Sequence, residues 1–182
     1  MRRPDMSAGQ GRRNVELVTS AELLIDAFGR IREVVHGAVE GLTEDQLTYR
    51  PGPSANSIGW LVWHLTRIQD DHVADAAGTE QVWPHWADRF DLPFDVRDTG
   101  YGHSAISVSK VRVPAELLIG YHDATTERTV EYVSGIADGD LARVVDERWE
   151  PPVTLGVRLV SVVSDDLQHA GQAAFVRGLL PR

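Results

Sequence analysis

Four segments of about twenty residues, each with apolar side chains recurring every three or four positions, restrict this chain to helices packed side by side. In the first, Leu24, Phe28, Ile31, Val35, Ala38 and Leu42 form one face that runs to about residue 43. Thr19-Ser20-Ala21-Glu22 ahead of it has capping-box spacing, so a helix starts there. A turn over Tyr49–Ser57, with Pro51, Gly52 and Pro53, precedes a second helix from near Ser57 to Ala77. Its stripe is Ile58, Leu61, Leu65 and Ile68, and Gly78 is placed to stop it. Pro114 suits the first position of a third helix, with a stripe of Leu118, Tyr121, Thr125, Tyr132 and Ile136 ending before Gly139. A fourth runs from about Leu155 to Leu180. No strand-like alternation of useful length interrupts them. The expected class is all-α, a four-helix bundle with a long irregular loop, Thr79 to Val113, between the second and third helices.

Composition narrows the function. With 182 residues, 42% of them hydrophobic, the chain is sized for one domain with an ordinary core, expected over residues 15–182 behind a disordered tail at 1–14. A net charge of -9 argues against nucleic acid, which is bound by clustered Lys and Arg. The basic residues Arg2, Arg3, Arg12 and Arg13 have no apolar run behind them, so they mark neither a signal peptide nor an anchor. No apolar run is long enough for a membrane span, and the expected location is the cytoplasm. The absence of cysteine removes thiolate ligands and any internal sulfur nucleophile, so thiol chemistry requires a thiol from outside.

The fourth helix is apolar over most of its circumference, yet Val162, Asp165, His169, Ala173 and Val176 share one stripe. An ionised carboxylate in apolar surroundings costs several kcal/mol unless a cation or a metal pairs with it, and no basic residue on that face serves. His64, at the edge of the second helix's stripe, also points inward. Two residues from one helix and one from another make a three-ligand set with an open fourth position, as in catalytic zinc sites. Taken singly, each has a plainer reading, a hydrogen-bonded core histidine for His64 and an internal Asp–His hydrogen bond for Asp165 and His169. Asp166 competes with Asp165 for the carboxylate role.

The run Ile58-Gly59-Trp60-Leu61-Val62-Trp63-His64-Leu65, followed by Asp165-Asp166-Leu167-Gln168-His169-Ala170-Gly171-Gln172, resembles the DinB/YfiT-like metalloenzyme superfamily. Many members carry histidine at both ends of the second spacing. Asp165 departs from that, and the sequence looks more like the mycothiol-dependent maleylpyruvate isomerase and mycothiol S-transferase branch. The resemblance implies zinc, with manganese, iron or nickel compatible with the oxygen ligand, and a low-molecular-weight thiol, mycothiol, as cosubstrate. It implies transfer of that thiol to an electrophile in a detoxification reaction, by an enzyme often found as a homodimer. Mycothiol belongs to GC-rich bacteria, and the arginine-for-lysine bias, with Lys110 the only lysine, fits such a genome.

Further candidates surround this set. Gln172 is placed to position a ligand or substrate, and Asp71, two turns past His64, to orient a ligand or act as a base. Asp98-Thr99-Gly100-Tyr101-Gly102-His103-Ser104 has the composition of a loop that closes over a pocket, with His103 and Tyr101 as its chemical candidates. Trp60 lies within the motif. Trp83 and Trp86 are candidates to stack on a sugar ring, with packing under the long loop as the preferred reading. Two rival functions stand beside thiol transfer: a metal-dependent hydrolase of a small ester or amide, and a non-catalytic metal-binding stress protein.

Overall fold

The computed structural model describes residues 18–181, so the expected tail at 1–14 lies outside the described residues. Four long helices dominate: α1 (Ser20–Val39), α3 (Ile58–Ala77), α6 (Ala115–Ser134) and α7 (Leu155–Gly178), with the single turns α2 (Glu44–Leu47), α4 (Ala87–Phe90) and α5 (Ala105–Val108) between them. The expected all-α bundle is what forms. The capping box at Thr19 is complete, Ser57 and Thr154 cap α3 and α7, and Gly78 closes α3 in a left-handed conformation with φ 68°.

Two helices end earlier than their stripes suggest. Gly41, at φ 74°, turns the chain just after α1 stops at Val39, and Thr43 then caps α2, so Leu42 packs from a turn. Gly135 ends α6 at Ser134. A two-stranded antiparallel ribbon, β1 (Val144–Asp146) with β2 (Val153–Thr154), precedes α7. It is too short for alternation to register in the sequence.

Each of α1 and α3 packs against both α6 and α7. The paired residues give the directions. Thr66 meets His122 and Tyr132 reaches Ala76, so α3 and α6 run parallel. His64 meets His169 and His72 meets Arg158, so α3 and α7 run antiparallel. Parallel neighbours in sequence require the chain to travel back the length of a helix, about 30 Å for twenty residues. That is the physical reason for the long connection between Gly78 and Pro114. Its first part is tied down by Asp70, whose carboxylate accepts from the Val82 and Trp83 amides and the Tyr121 hydroxyl, all at 2.8 Å. The fully buried Arg67 donates to the Asp98 carbonyl and to Gln81. Helical turns at Trp83–His85, α4 and α5 break up what the sequence suggested to be irregular throughout.

The core carries one titratable group with a clear consequence. His122 is wholly buried with Nδ1 3.1 Å from the Thr66 hydroxyl, and burial pushes its pKa down to about 4. The unfolded chain takes up this proton near pH 6.5 and the folded chain does not until about pH 4. Stability is therefore whole above about pH 6.5 and falls as pH drops toward 4, by on the order of 3 kcal/mol in all. Urea titrations of the metal-free protein across this range should show that decline, and His122→Gln should flatten it. An unchanged slope in the variant would rule His122 out as the source.

Candidate metal centre

His64 reaches the α3–α7 interface because its position on α3 is buried among Leu61, Leu65 and Trp63. Asp165 and His169 face it from α7, four residues apart and hence one turn apart on one face. A ligand atom from each of the three lies within 4.8 Å of the other two. His169 Nε2 and Asp165 Oδ1 are 3.7 Å apart, too far for the internal Asp–His hydrogen bond that the spacing alone also allowed.

The second nitrogen of each imidazole decides what the first offers. His64 Nδ1–H donates to the Thr99 carbonyl at 2.5 Å, and His169 Nδ1–H donates to Gln172 Oε1 at 2.9 Å. Both rings are left with an Nε2 lone pair. Asp165 Oδ2 is buried and has no hydrogen-bond partner. Two lone pairs and a carboxylate converge with no proton donor among them, an arrangement complementary to a cation. Burial holds His64 below the ordinary imidazole range, which keeps it in the unprotonated form a metal requires. The donor set of two nitrogens and one oxygen suits a divalent ion with an open position.

Asp166 points elsewhere. It is fully buried, both its oxygens lack partners, and burial, reinforced by the Asp165 charge, pushes its carboxyl well above the usual range. It is a buried core acid outside the three-residue group.

The other candidate residues fall into three places. Gln172 sits beside His169. Trp60 is buried and stacks on His64 with ring centroids 4.6 Å apart, so it backs the imidazole and has no free face for a cofactor. His103 accepts from the Trp60 indole N–H at Nδ1 (3.1 Å) and donates from Nε2 to Asp98 (2.9 Å). With both nitrogens engaged, it holds Trp60 in place and is not available as a free acid or base. Tyr101 is 90% exposed and closes over nothing in this conformation. Asp71 accepts from Gln81 at 2.8 Å and lies near His72, further along α3. Trp83 is buried against Trp63, Phe90 and Tyr121, and Trp86 packs on Tyr121 beneath the Arg89 guanidinium. Trp83 is a packing residue under the loop with its faces covered, and Trp86 is a partly buried one beside it.

The residues not singled out from sequence are Thr99 and Gly100. Gly100 has φ 89°, and a Cβ there would lie 2.8 Å from Trp63 and 3.0 Å from His64 Nδ1. Only glycine lets the loop carbonyl at Thr99 approach His64 so closely. The Asp98–Ser104 run reads in sequence as a loop that closes over a pocket, but nothing local marks which helix it touches. Gly100→Ala should displace this support and weaken metal binding by roughly 10- to 100-fold, the usual cost of losing an outer contact to a ligand. Competition against a chromogenic chelator measures it, and an unaltered affinity would show the Thr99 contact to be dispensable.

Comparison with known proteins bears on this geometry. A family model described as mycothiol-S-transferase matches residues 23–181, which take in the four long helices except the first residues of α1, and every residue of the centre. The chain belongs to that family. A solved structure titled as the conserved protein of a locus from Enterococcus faecalis has 31% identity and a TM-score of 0.81, covering 90% of this chain and 98% of that one. None of the curated proteins compared with it matches. Membership of the mycothiol-S-transferase family agrees with the resemblance carried by the Trp60–His64 and Asp165–Gln172 motifs. Among the described residues no helix is long and apolar enough to cross a membrane.

Proposed function

We propose that this member of the family is a cytoplasmic, metal-dependent thiol S-transferase that joins mycothiol to a small electrophile in a detoxification reaction. The observation that carries the reading is the convergence of His64, Asp165 and His169 with both imidazole Nε2 atoms free. A divalent ion held there, zinc first, would lower the pKa of a thiol at its open position and keep it as thiolate near neutral pH. The chain's own residues do the rest. Thr99 and Gln172 fix the two imidazole tautomers, Trp60 backs His64, and the His103–Asp98 pair holds Trp60. The absence of cysteine means that no side chain competes as sulfur nucleophile.

The test is elemental analysis of untagged protein followed by assay with mycothiol and a chromogenic electrophile. Turnover should require thiol and disappear on chelation. Because burial holds His64 below the ordinary range, the rate should stay nearly flat from about pH 8 to about pH 6.5, where a free thiol loses most of its thiolate. Turnover that needs only water would replace this reading with the hydrolase.

A further inference from the structure

A second feature lies on the same helix interface. Beside the β1–β2 ribbon a groove of about 520 Å³ is lined by Trp149, Val157, Arg158, His72, Asp146 and Arg148, among others. Trp149 is 66% exposed and Val157 54%, whereas Trp60, Trp63 and Trp83 are buried. Exposed apolar surface of this size beside ordered polar groups marks a place where something else packs.

The polar groups are held by one another. Arg158, with a side chain only 8% exposed, donates to Asp146 at 3.1 Å and to His72 Nδ1 at 2.7 Å. Asp146 also grips Arg148 through Nε at 2.9 Å and a terminal nitrogen at 2.8 Å. Since His72 accepts at Nδ1, its proton sits on Nε2, a fixed donor. Burial and the neighbouring Arg158 keep this ring neutral by lowering its pKa. Asp71 and Asp75 line the adjoining surface with Arg148 and Arg158. Two arginines against three carboxylates give no excess positive charge, so an anionic ligand is not what this surface selects. Fixed donors and acceptors around an open indole face match a neutral polyhydroxylated ring, whose C–H face stacks on the aromatic while its hydroxyls take the hydrogen bonds.

The groove also leads to the metal centre. On α7, Val157, Ser161, Asp165 and His169 follow one another at steps of four. On the antiparallel α3, His64, Ile68 and His72 do the same. Ser161 is exposed and Ile68 partly so, so the path between the two sites is open to solvent. Eight helical residues separate His64 from His72, about 12 Å at 1.5 Å each. From sulfur through a cysteinyl amide to the first sugar ring is about 6 Å, and each ring adds roughly 5 Å, so the carbohydrate reaches that far.

Resting on the thiol-transferase reading above, we propose that this groove is the subsite for the carbohydrate part of the thiol, with Trp149 as its stacking platform. Binding there would hold a remote, unreacting part of the cosubstrate and so orient its sulfur at the centre. The probe is glucosaminyl-inositol, the sugar portion of mycothiol without its cysteine, titrated into metal-free protein by calorimetry. Trp149→Ala should weaken its binding about tenfold, Trp149→Phe should retain most of it, and His169→Ala should leave it unchanged. In turnover, Trp149→Ala should reduce the preference for mycothiol over N-acetylcysteine about tenfold, through KM. Sugar binding indifferent to Trp149, or equal losses with both thiols, would overturn the subsite. If neither thiol turns over but Trp149 still governs sugar binding, the subsite stands and the transferase reading fails. If mycothiol turns over with no dependence on Trp149, the subsite fails alone.

Discussion

Replacing His169 by alanine is expected to release the metal while leaving the bundle folded. His169 lies at the edge of the α7 core face, and its removal disturbs none of the buried apolar residues Leu159, Val162, Ala170, Ala173 or Val176. One imidazole and one carboxylate cannot retain a divalent ion as three ligands do. The loss should therefore exceed the roughly 10- to 100-fold that removal of an outer partner such as Gln172 costs. Thiol-dependent turnover should disappear with it. The paired variants Asp165→Ala and Asp166→Ala separate the two adjacent acids, because only Asp165 joins the three-residue group. Asp165→Ala should lose metal and Asp166→Ala should keep it. Full occupancy by elemental analysis in His169→Ala, or loss in Asp166→Ala alone, would require a different ligand set.

The largest stability effect should come from Asp70, which is not part of that set. This nearly buried carboxylate accepts from two loop amides and from Tyr121, and lies 3.6 Å from the buried Arg67 guanidinium. Asp70→Ala leaves those donors and a positive charge without a partner away from water, at a cost of about 3–5 kcal/mol. For a chain of this length that corresponds to a Tm lowered by roughly 10–15 °C. Amide exchange at Val82 and Trp83 should accelerate first, since their acceptor is gone. Metal affinity should weaken too, because the same loop continues to Thr99 and its contact with His64. A melting temperature within a few degrees of wild type would mean that water or Gln81 replaces Asp70 with little loss.

The order of these effects reflects what a linear sequence carries. Periods of three and four, the Thr19 and Ser57 caps and the stop at Gly78 are local properties, and they located four helices with errors only where Gly41 and Gly135 cut a stripe short. The pair Asp165 and His169 was legible for the same reason, since a separation of four places two side chains on one helix face. Pairing them with His64 needed the motif resemblance as well as the inward stripe. The loop was different. His103 and Tyr101 look alike as candidates in sequence, yet one is locked between Trp60 and Asp98 and the other is 90% exposed. Packing is the preferred reading for Trp83 and Trp86 from sequence, and Trp83 is indeed buried, while Trp149, which nothing in the sequence marks, is 66% exposed.

By itself, then, the sequence determined the helices, their apolar faces and the one-turn spacing of Asp165 and His169, because each depends on residues within a few positions of one another. Only the tertiary structure decided that α3 and α6 lie parallel. That direction forces the connection to cross back over the bundle and brings Thr99 and Gly100 onto His64. Contacts between residues tens of positions apart leave no periodic trace along the chain. They arise when buried groups such as Asp70 and Arg67 must find partners, and those partners come from whichever segment the packing brings past.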